Sequence, residues 1–589
     1  MLLHSFTSWL AFASVTFALP RAEPLASDLI TRQDGECVNT PRTRQCWSNG
    51  YSIDTDFDAK QPPDGVEVPY NLVITNGTMP NPDGSPGTRE VHLINGQYPG
   101  PLIRAKWGDT LVVTVKNELK DNGTGIHWHG IRQLNSCQHD GVPGVTECPI
   151  APGKTRTYRF RATQFGTTWY HSHWSIQYGQ GVVGPLIIDG PASSQYDEDL
   201  GALPLTDWYY GSAFMLNEVA QNQGRPPPPD NLLVNGTHKN AAGGGTYAKM
   251  SVVKGKKYRI RIINTSVDQY FTVSMDGHPF TVITSDFVPL KPYVADQITL
   301  AIGQRYDVII SANQTSDNYW FRVQTGTEGF CGSNAIFGKG IQVGAILHYS
   351  DAPDAQPTKT GNLTLRTACA DEPLASLVPY VPNEVPQSVI GSAGLLDLKS
   401  DPVANNNGTI KPFRWLIDGT PHIVDWNNPT LETILAGSQD FHNNSNVHPM
   451  QNDDGWYLWW IQSTAAVALP HPIHLHGHDF YILDAKAGAT WDGTTTGLNL
   501  KNPPRRDTAT LPRGGYLLIA FPADNPGMWI MHCHIAWHAS QGLSMQFGER
   551  YDDIKNTIGD TSDFKKGCDE WDKYWFPGNH PYEQTDSGI

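Results

Sequence analysis

Apolar residues along this chain come in short bursts rather than at helical spacing. Runs rich in β-branched and aromatic side chains, such as residues 110–115, 257–263 and 306–310, recur between clusters of Gly, Pro and Asn. Few segments repeat at 3.6 residues, and 56 Gly and 44 Pro punctuate the chain with turns. The pattern predicts an all-β protein of Greek-key sandwiches or barrels. At 589 residues the chain is too long for one core at about 100–200 residues per domain, and three large β domains would fill it.

The first apolar run differs in kind. Residues 9–19 end in Thr16-Phe17-Ala18 before Leu19-Pro20, and small residues placed in this way predict a secretory signal peptide over residues 1–18. Residues 19–32 are expected to form a short propeptide. No later segment reaches the roughly 18 apolar residues of a membrane span. Eight Asn-x-Ser/Thr sequons, at Asn76, Asn122, Asn235, Asn264, Asn313, Asn362, Asn407 and Asn443, fit passage through the secretory pathway. A secreted, extracellular, monomeric product with no membrane partner is expected. The formal charge of −16, with no basic stripe, argues against nucleic acid as a partner.

The candidate chemistry lies in histidine. Eleven of the 21 histidines fall in four short motifs: His127-Trp128-His129; His171-Ser172-His173; His471-Pro-Ile-His474-Leu-His476-Gly-His478; and His532-Cys533-His534-Ile-Ala-Trp-His538. On a strand, residues i and i+2 share a face, so each His-x-His pair is expected to offer two imidazoles to one metal site. Four pairs supply eight imidazoles, more than one first-row ion accepts, which implies a cluster. Cys533 must then face away from it. A thiolate with two imidazoles, His471 and His538, and a weak or absent axial ligand is the blue-copper arrangement. Eight imidazoles around a Cys-centred motif match no zinc pattern.

An internal comparison points the same way. Aligning His127 and His129 with His474 and His476 sets Thr124 against His471. Aligning His171 and His173 with His532 and His534 sets Ser172 against Cys533 and Gln177 against His538. The N-terminal region thus reads as a copy of the C-terminal one that keeps its cluster imidazoles and has lost the mononuclear site. The segment 191–371 holds only His238, His278 and His348, unclustered, and is expected to carry no metal.

With these motifs intact, the sequence from about residue 65 onward resembles the multicopper oxidases, and most closely the laccases of filamentous ascomycete fungi. The resemblance implies three cupredoxin-like domains: residues 33–190 with half of a trinuclear site, 191–371 without copper, and 372–589 with the mononuclear site and the other half. It implies four copper ions. Type 1 copper would be held by His471, Cys533 and His538; type 2 copper by His127 and His474; and the type 3 pair by His129, His171, His173, His476, His532 and His534. Small aromatic reductants such as phenols would give single electrons to the type 1 site, and dioxygen would be reduced to water at the cluster.

Finer features follow from the same resemblance. Leu543 stands at the axial place where ascorbate and bilirubin oxidases carry Met, and a non-coordinating side chain there raises the potential. Asp268 matches the substrate-pocket carboxylate of laccases, and Asp140 a carboxylate beside type 2 copper that helps supply protons. At Ala536 many relatives carry an acid, so one arm of the proton path has no residue here. The tail Asp586-Ser587-Gly588-Ile589 resembles the processed end of ascomycete laccases, which enters the solvent tunnel to the cluster. With Cys533 set aside, seven cysteines remain, and secretion favours pairing. Cys37 and Cys46 are close in sequence, Cys331 and Cys369 bracket the end of the middle segment, and the family pattern ties Cys148 to Cys568, leaving Cys137 unpaired. Oxidation of a metal ion or a non-phenolic reductant, and a copper-binding scaffold on the same fold, are the rival readings.

Overall fold

The computed structural model describes residues 37–589 except 329–330, 334–339, 360, 407–408, 451–454, 577, 579 and 581–582. The expected signal peptide, the propeptide and the sequon at Asn407 lie outside the described residues. The three apolar runs singled out above are strands, Thr110–Glu118, Lys257–Asn264 and Arg305–Ser311.

Most strands belong to three pairs of sheets, each pair closing on an apolar core. In the first, Glu67–Pro80 pairs antiparallel with Thr88–Ile94 and parallel with Thr110–Glu118, which in turn pairs with Thr155–Arg161. Leu111, Val113 and Val115 alternate inward and are fully buried, the period of two that a sheet with one wet face requires. They meet Ile126, Trp128, Tyr170 and Leu186 from the second sheet, ordered Ile103–Lys106, Val183–Asp189, Gly166–Ser172, Ile126–Trp128. A six- and a five-stranded sheet share the middle core, with Ile260, Val308 and Phe280 against Phe271, Val323 and Leu347. Another six- and five-stranded pair forms the third, where Leu517 and Ile519 pack with Ile473, Ile530 and Met545. This last core also takes in Trp169, Trp174 and Tyr178 from the first pair and Val267 and Ile302 from the middle one.

Several strands depart from alternation, among them three that carry histidine motifs. Gly166–Ser172, His471–Leu475 and Gly527–Cys533 are buried at every position, because both of their faces are covered. Pairing registers repeat between the first and third pairs of sheets. His127 stands opposite His171 and Ile126 opposite Ser172; His474 stands opposite His532 and Ile473 opposite Cys533. The internal alignment made from motif spacing therefore corresponds to the same antiparallel ladder built twice.

Three disulfides join Cys37 to Cys46, Cys148 to Cys568 and Cys331 to Cys369, while Cys137 and Cys533 are free and buried. The Cys148–Cys568 bond ties the first pair of sheets to the helix Ser562–Trp575.

One sequon is excluded by the fold. Asn264 is fully buried. Its Nδ2 donates to the carbonyls of Gln269 and Leu300 (2.9 and 3.1 Å), and its Oδ1 accepts the Ser266 N–H at 3.0 Å. A glycan would remove one of these donors and would have to occupy core volume. Glycopeptide mapping of the secreted protein should find Asn264 unmodified, and a glycan there would contradict this packing.

Candidate metal centre

The four histidine motifs meet at one place, at the ends of the doubly covered strands. The eight paired imidazoles assemble into overlapping trios whose potential ligand atoms lie within 4.8 Å of one another: His127, His129 and His474; His129, His171 and His534; His173, His476 and His532. His173 Nε2 and His476 Nε2 stand 3.4 and 3.3 Å from His532 Nε2, and His534 Nε2 stands 3.2 Å from His129 Nδ1. Within this one cluster the two rings of a pair do not always share a trio. His171 and His173 belong to different trios, as do His532 and His534. The strands Ile126–Trp128, Gly166–Ser172, His471–Leu475 and Gly527–Cys533 each end just before the second histidine of the pair; His127 and His129 nevertheless share a trio.

The chemistry of the donors suits a metal. Burial, reinforced by the neighbouring imidazoles, holds His129, His171, His173, His474, His476 and His534 well below the usual imidazole range, so these rings are neutral and have lone pairs to offer. In five of the eight paired rings the other ring nitrogen is already engaged. His127 Nδ1 and His474 Nδ1 donate to the carbonyls of Asp140 (3.0 Å) and Asp507 (2.8 Å), and His171 and His532 each to a carbonyl one residue on, both at 3.0 Å. His476 Nδ1 donates to Asp140 Oδ2 at 2.8 Å. Such bonds fix tautomer and ring orientation as the partners of metal-bound histidines do. The nitrogens left over, among them His127 Nε2, His171 Nε2 and His474 Nε2, are buried with no hydrogen-bond partner. A cation would satisfy them.

The second set of donors is separate from the first. Cys533 Sγ lies 3.7 Å from His471 Nδ1 and 3.6 Å from His538 Nδ1, and the two nitrogens are 3.1 Å apart. A single ion at about 2.0–2.3 Å from nitrogen and sulfur ligands spaces its donors in this way. Trp415 covers both imidazoles, its ring 4.8 Å from each. Burial pushes the Cys533 thiol well above its ordinary range, so a thiolate there needs a cation beside it. Leu543, fully buried, accepts the Cys533 N–H at its carbonyl (3.0 Å).

At the equivalent place in the first pair of sheets, Thr124 Oγ1 and Ser172 Oγ both donate to Gln177 Oε1, at 2.6 and 2.7 Å. The three residues aligned with the mononuclear ligands thus still converge, joined by hydrogen bonds. The eleventh motif histidine, His478, turns away and meets Glu549 at 2.8 Å.

Two contributions escape sequence reasoning. Asp507 receives His474 Nδ1 at its carbonyl, and its Oδ1 lies 3.3 Å from His129 Nε2. Its carboxylate is gripped by Arg305 through two bonds of 2.7 Å. Burial raises the Asp507 carboxyl to about 6, against the lowering effect of Arg305. Gly303, at φ +87°, passes so close that a Cβ there would stand 2.9 Å from His534 Cδ2 and 3.0 Å from His129 Cε1. Both Gly303 and Arg305 come from the histidine-poor middle segment. The charged run Arg505-Arg506-Asp507, just before the strand Thr508–Leu511, was the available signal.

Asp268 lies outside the trios, 9 % exposed, in a turn whose Val267 carbonyl accepts the Ala536 N–H at 2.8 Å. Burial and the nearby Asp207 carboxylate push it up to about 8. Asp140 is fully buried between His127 and His476. Ile589 is also buried, in a cavity lined by His173, Ser175, Tyr178, His532 and Cys533. The tail is bonded in: Ser175 N–H to the Gly588 carbonyl, Val424 N–H to that of Ser587, and Ser587 N–H to that of Ser540 (3.1, 2.9 and 2.8 Å).

Multicopper oxidase family models match residues 73–193, 201–352 and 423–553. The chain is 44 % identical to Laccase-2 of Botryotinia fuckeliana, covering 99 % of each chain, and 45 % identical to a laccase of Neurospora crassa over 94 % of this chain and 89 % of that one. Among solved structures, the laccase from Botrytis aclada superposes with a TM-score of 0.86 at 43 % identity, over 94 % of this chain and all of that one. A multicopper oxidase that functions in iron import matches at 0.74 and 25 % identity, over 86 % and 95 %.

Replacing Asp507 by Ala removes the carboxylate beside His129 and leaves Arg305 short of its main partner. Metal affinity of the cluster should fall about 10–100-fold, the usual effect of losing a group that orients a metal ligand. Stability should fall by about 3 kcal/mol, as for a broken buried ion pair. Metal titration and thermal unfolding of the variant check this; wild-type values for both would contradict it.

Proposed function

The chain belongs to the multicopper oxidase family and is a laccase; from that premise we propose that it holds four coppers and oxidises phenols and related aromatic reductants one electron at a time. Three cupredoxin-like domains are proposed at 33–190, 191–371 and 372–589. Bound copper would supply one-electron oxidation of the reductant at a type 1 site and four-electron reduction of dioxygen to water at a trinuclear site. His471, Cys533 and His538 are the proposed type 1 ligands, with Leu543 as the non-coordinating axial neighbour. His127 and His474 are assigned to type 2, and His129, His171, His173, His476, His532 and His534 to the type 3 pair. The observation that carries this reading is the single strand end His532-Cys533-His534, whose thiol faces one donor set while its two imidazoles face the other. Three consecutive residues then join the two sites by the shortest covalent path available.

The remaining residues do the proton and solvent work. A phenol loses a proton as it loses an electron, and Asp268 is positioned to accept it. Its raised affinity for protons suits a base operating near neutrality. Asp140 holds His476 by its carboxylate and His127 by its carbonyl, and is proposed to pass protons toward the trinuclear site. Ile589 and the buried tail exclude bulk water from the cavity next to His173 and His532. Secretion, with cleavage after residue 18, remains part of the proposal; among the described residues no helix is long and apolar enough to cross a membrane.

Cys533→Ser tests the division of labour. The copper-loaded wild type should be blue, from the Cu(II)–thiolate bond. The variant should lose the colour and turnover of organic reductants, while retaining the copper held by the eight imidazoles. A colourless wild type with full copper occupancy, or a blue Ser variant, would refute the assignment.

A further inference from the structure

Asp207 lies at the end of the strand Glu198–Trp208, is only 3 % exposed, and serves neither donor set. Its carboxylate is spent on one short segment. Oδ1 accepts the Val267 N–H at 2.8 Å and Oδ2 the Asp268 N–H at 2.9 Å, with the Tyr209 hydroxyl 3.4 Å from Oδ2. Its own N–H donates to Ser266 Oγ at 3.2 Å. The segment is also pinned from within by Asn264, which bridges to Ser266 and Gln269. From the opposite side the Val267 carbonyl receives the N–H of Ala536, at the start of the helix Ala536–Ser540 that carries His538.

A neutral amide would accept these two N–H groups poorly, because only one of its two terminal atoms is an acceptor. The use of a buried carboxylate also places a second negative charge beside Asp268. That is costly for a purely structural brace, since like charges disfavour ionisation of both groups. We propose that Asp207 is the positioning residue of the reductant pocket, holding the 264–269 turn so that the Asp268 carboxylate faces the reductant and, through the neighbouring charge, biasing that carboxylate toward taking up the proton the reductant loses. This rests on the reading of Asp268 as the proton acceptor.

The other ionisable groups facing the pair do not supply this bias. Tyr98, Tyr178, Tyr209 and Tyr270 are all pushed upward by burial and stay neutral through the working range. Arg89, stacked over Trp208 at 4.3 Å, is lowered by burial only to about 10 and remains a cation; its charge favours ionisation. Burial raises Asp207 itself to about 6. The two carboxyls therefore gain and lose protons as a coupled pair.

The test is the pH dependence of kcat/KM for a phenol divided by that for ferrocyanide, a reductant that releases no proton, so that effects at the copper cluster cancel. Asp207→Asn removes the charge and one of the two N–H acceptors, so the ratio should fall and its acidic limb should move to lower pH by about one unit, the size of a coupled titration. Asp207→Glu keeps the charge but misplaces the turn; its limb should stay in place while the ratio falls about tenfold at every pH, the scale of a misaligned general base. A limb unmoved in Asp207→Asn, or a wild-type ratio in Asp207→Glu, would overturn the proposal, with the blue absorption reporting that each variant is folded. Asp268→Asn separates the two levels. If it flattens the ratio while the Asp207 variants leave it unchanged, the positioning role alone fails; if Asp268→Asn also leaves the ratio unchanged, the reading of Asp268 and the role of Asp207 fail together.

Discussion

Convergence of neutral imidazoles inside a dry interior is the constraint on which the rest of the structure depends. At least three ring nitrogens, on His127, His171 and His474, point into the cluster with no partner, at a cost of about 1–3 kcal/mol for each such buried polar atom. Lone pairs of neighbouring rings also face each other across little more than 3 Å. Packing alone does not favour this arrangement. A structural zinc ion returns apparent binding energies of about 10–16 kcal/mol, a scale large enough to offset the penalty. The rest of the fold prepares for a metal ion: the second ring nitrogens are tied to carbonyls and Asp140, and sheets cover both faces of the three strands Gly166–Ser172, His471–Leu475 and Gly527–Cys533.

The repeated ladder shows how one frame serves two ends. In the third pair of sheets, Cys533, His471 and His538 come together as donors, and a cation would hold three elements to one another. At the matching place in the first pair, one amide oxygen on Gln177 receives the hydroxyls of Thr124 and Ser172. The polar node fills the same structural position without a metal and keeps the strand that presents His171 and His173 fixed. Losing the mononuclear ligands thus left the cluster ligands on that side in place.

Much of the site was legible because its signal is local. A His-x-His pair, or Cys533 between two histidines, is a fact about adjacent residues, and strand geometry converts it into direction. How the rings divide was not legible: His127 and His129 share a trio while His171 and His173, or His532 and His534, do not, although all four strands end just before the second histidine. Arg305 and Gly303 could not be found in this way. They reach the cluster from a segment with no clustered histidine, and only the packing of the middle sheets against the others brings them there. Asn264 is the converse case, a sequon that motif matching accepts and burial rejects. Asp207 carries no motif at all; its role is visible only from the two N–H groups that it receives.

The central claim is that the imidazoles and the thiol form two distinct copper sites sharing residues 532–534. Anomalous diffraction from crystals of the copper-loaded protein, recorded on both sides of the copper absorption edge, tests it most directly. Four peaks are expected: one between Cys533, His471 and His538, and three among the eight paired imidazoles. Fewer than three peaks among the imidazoles, an empty Cys533 site, or a signal that does not change across the copper edge would contradict it.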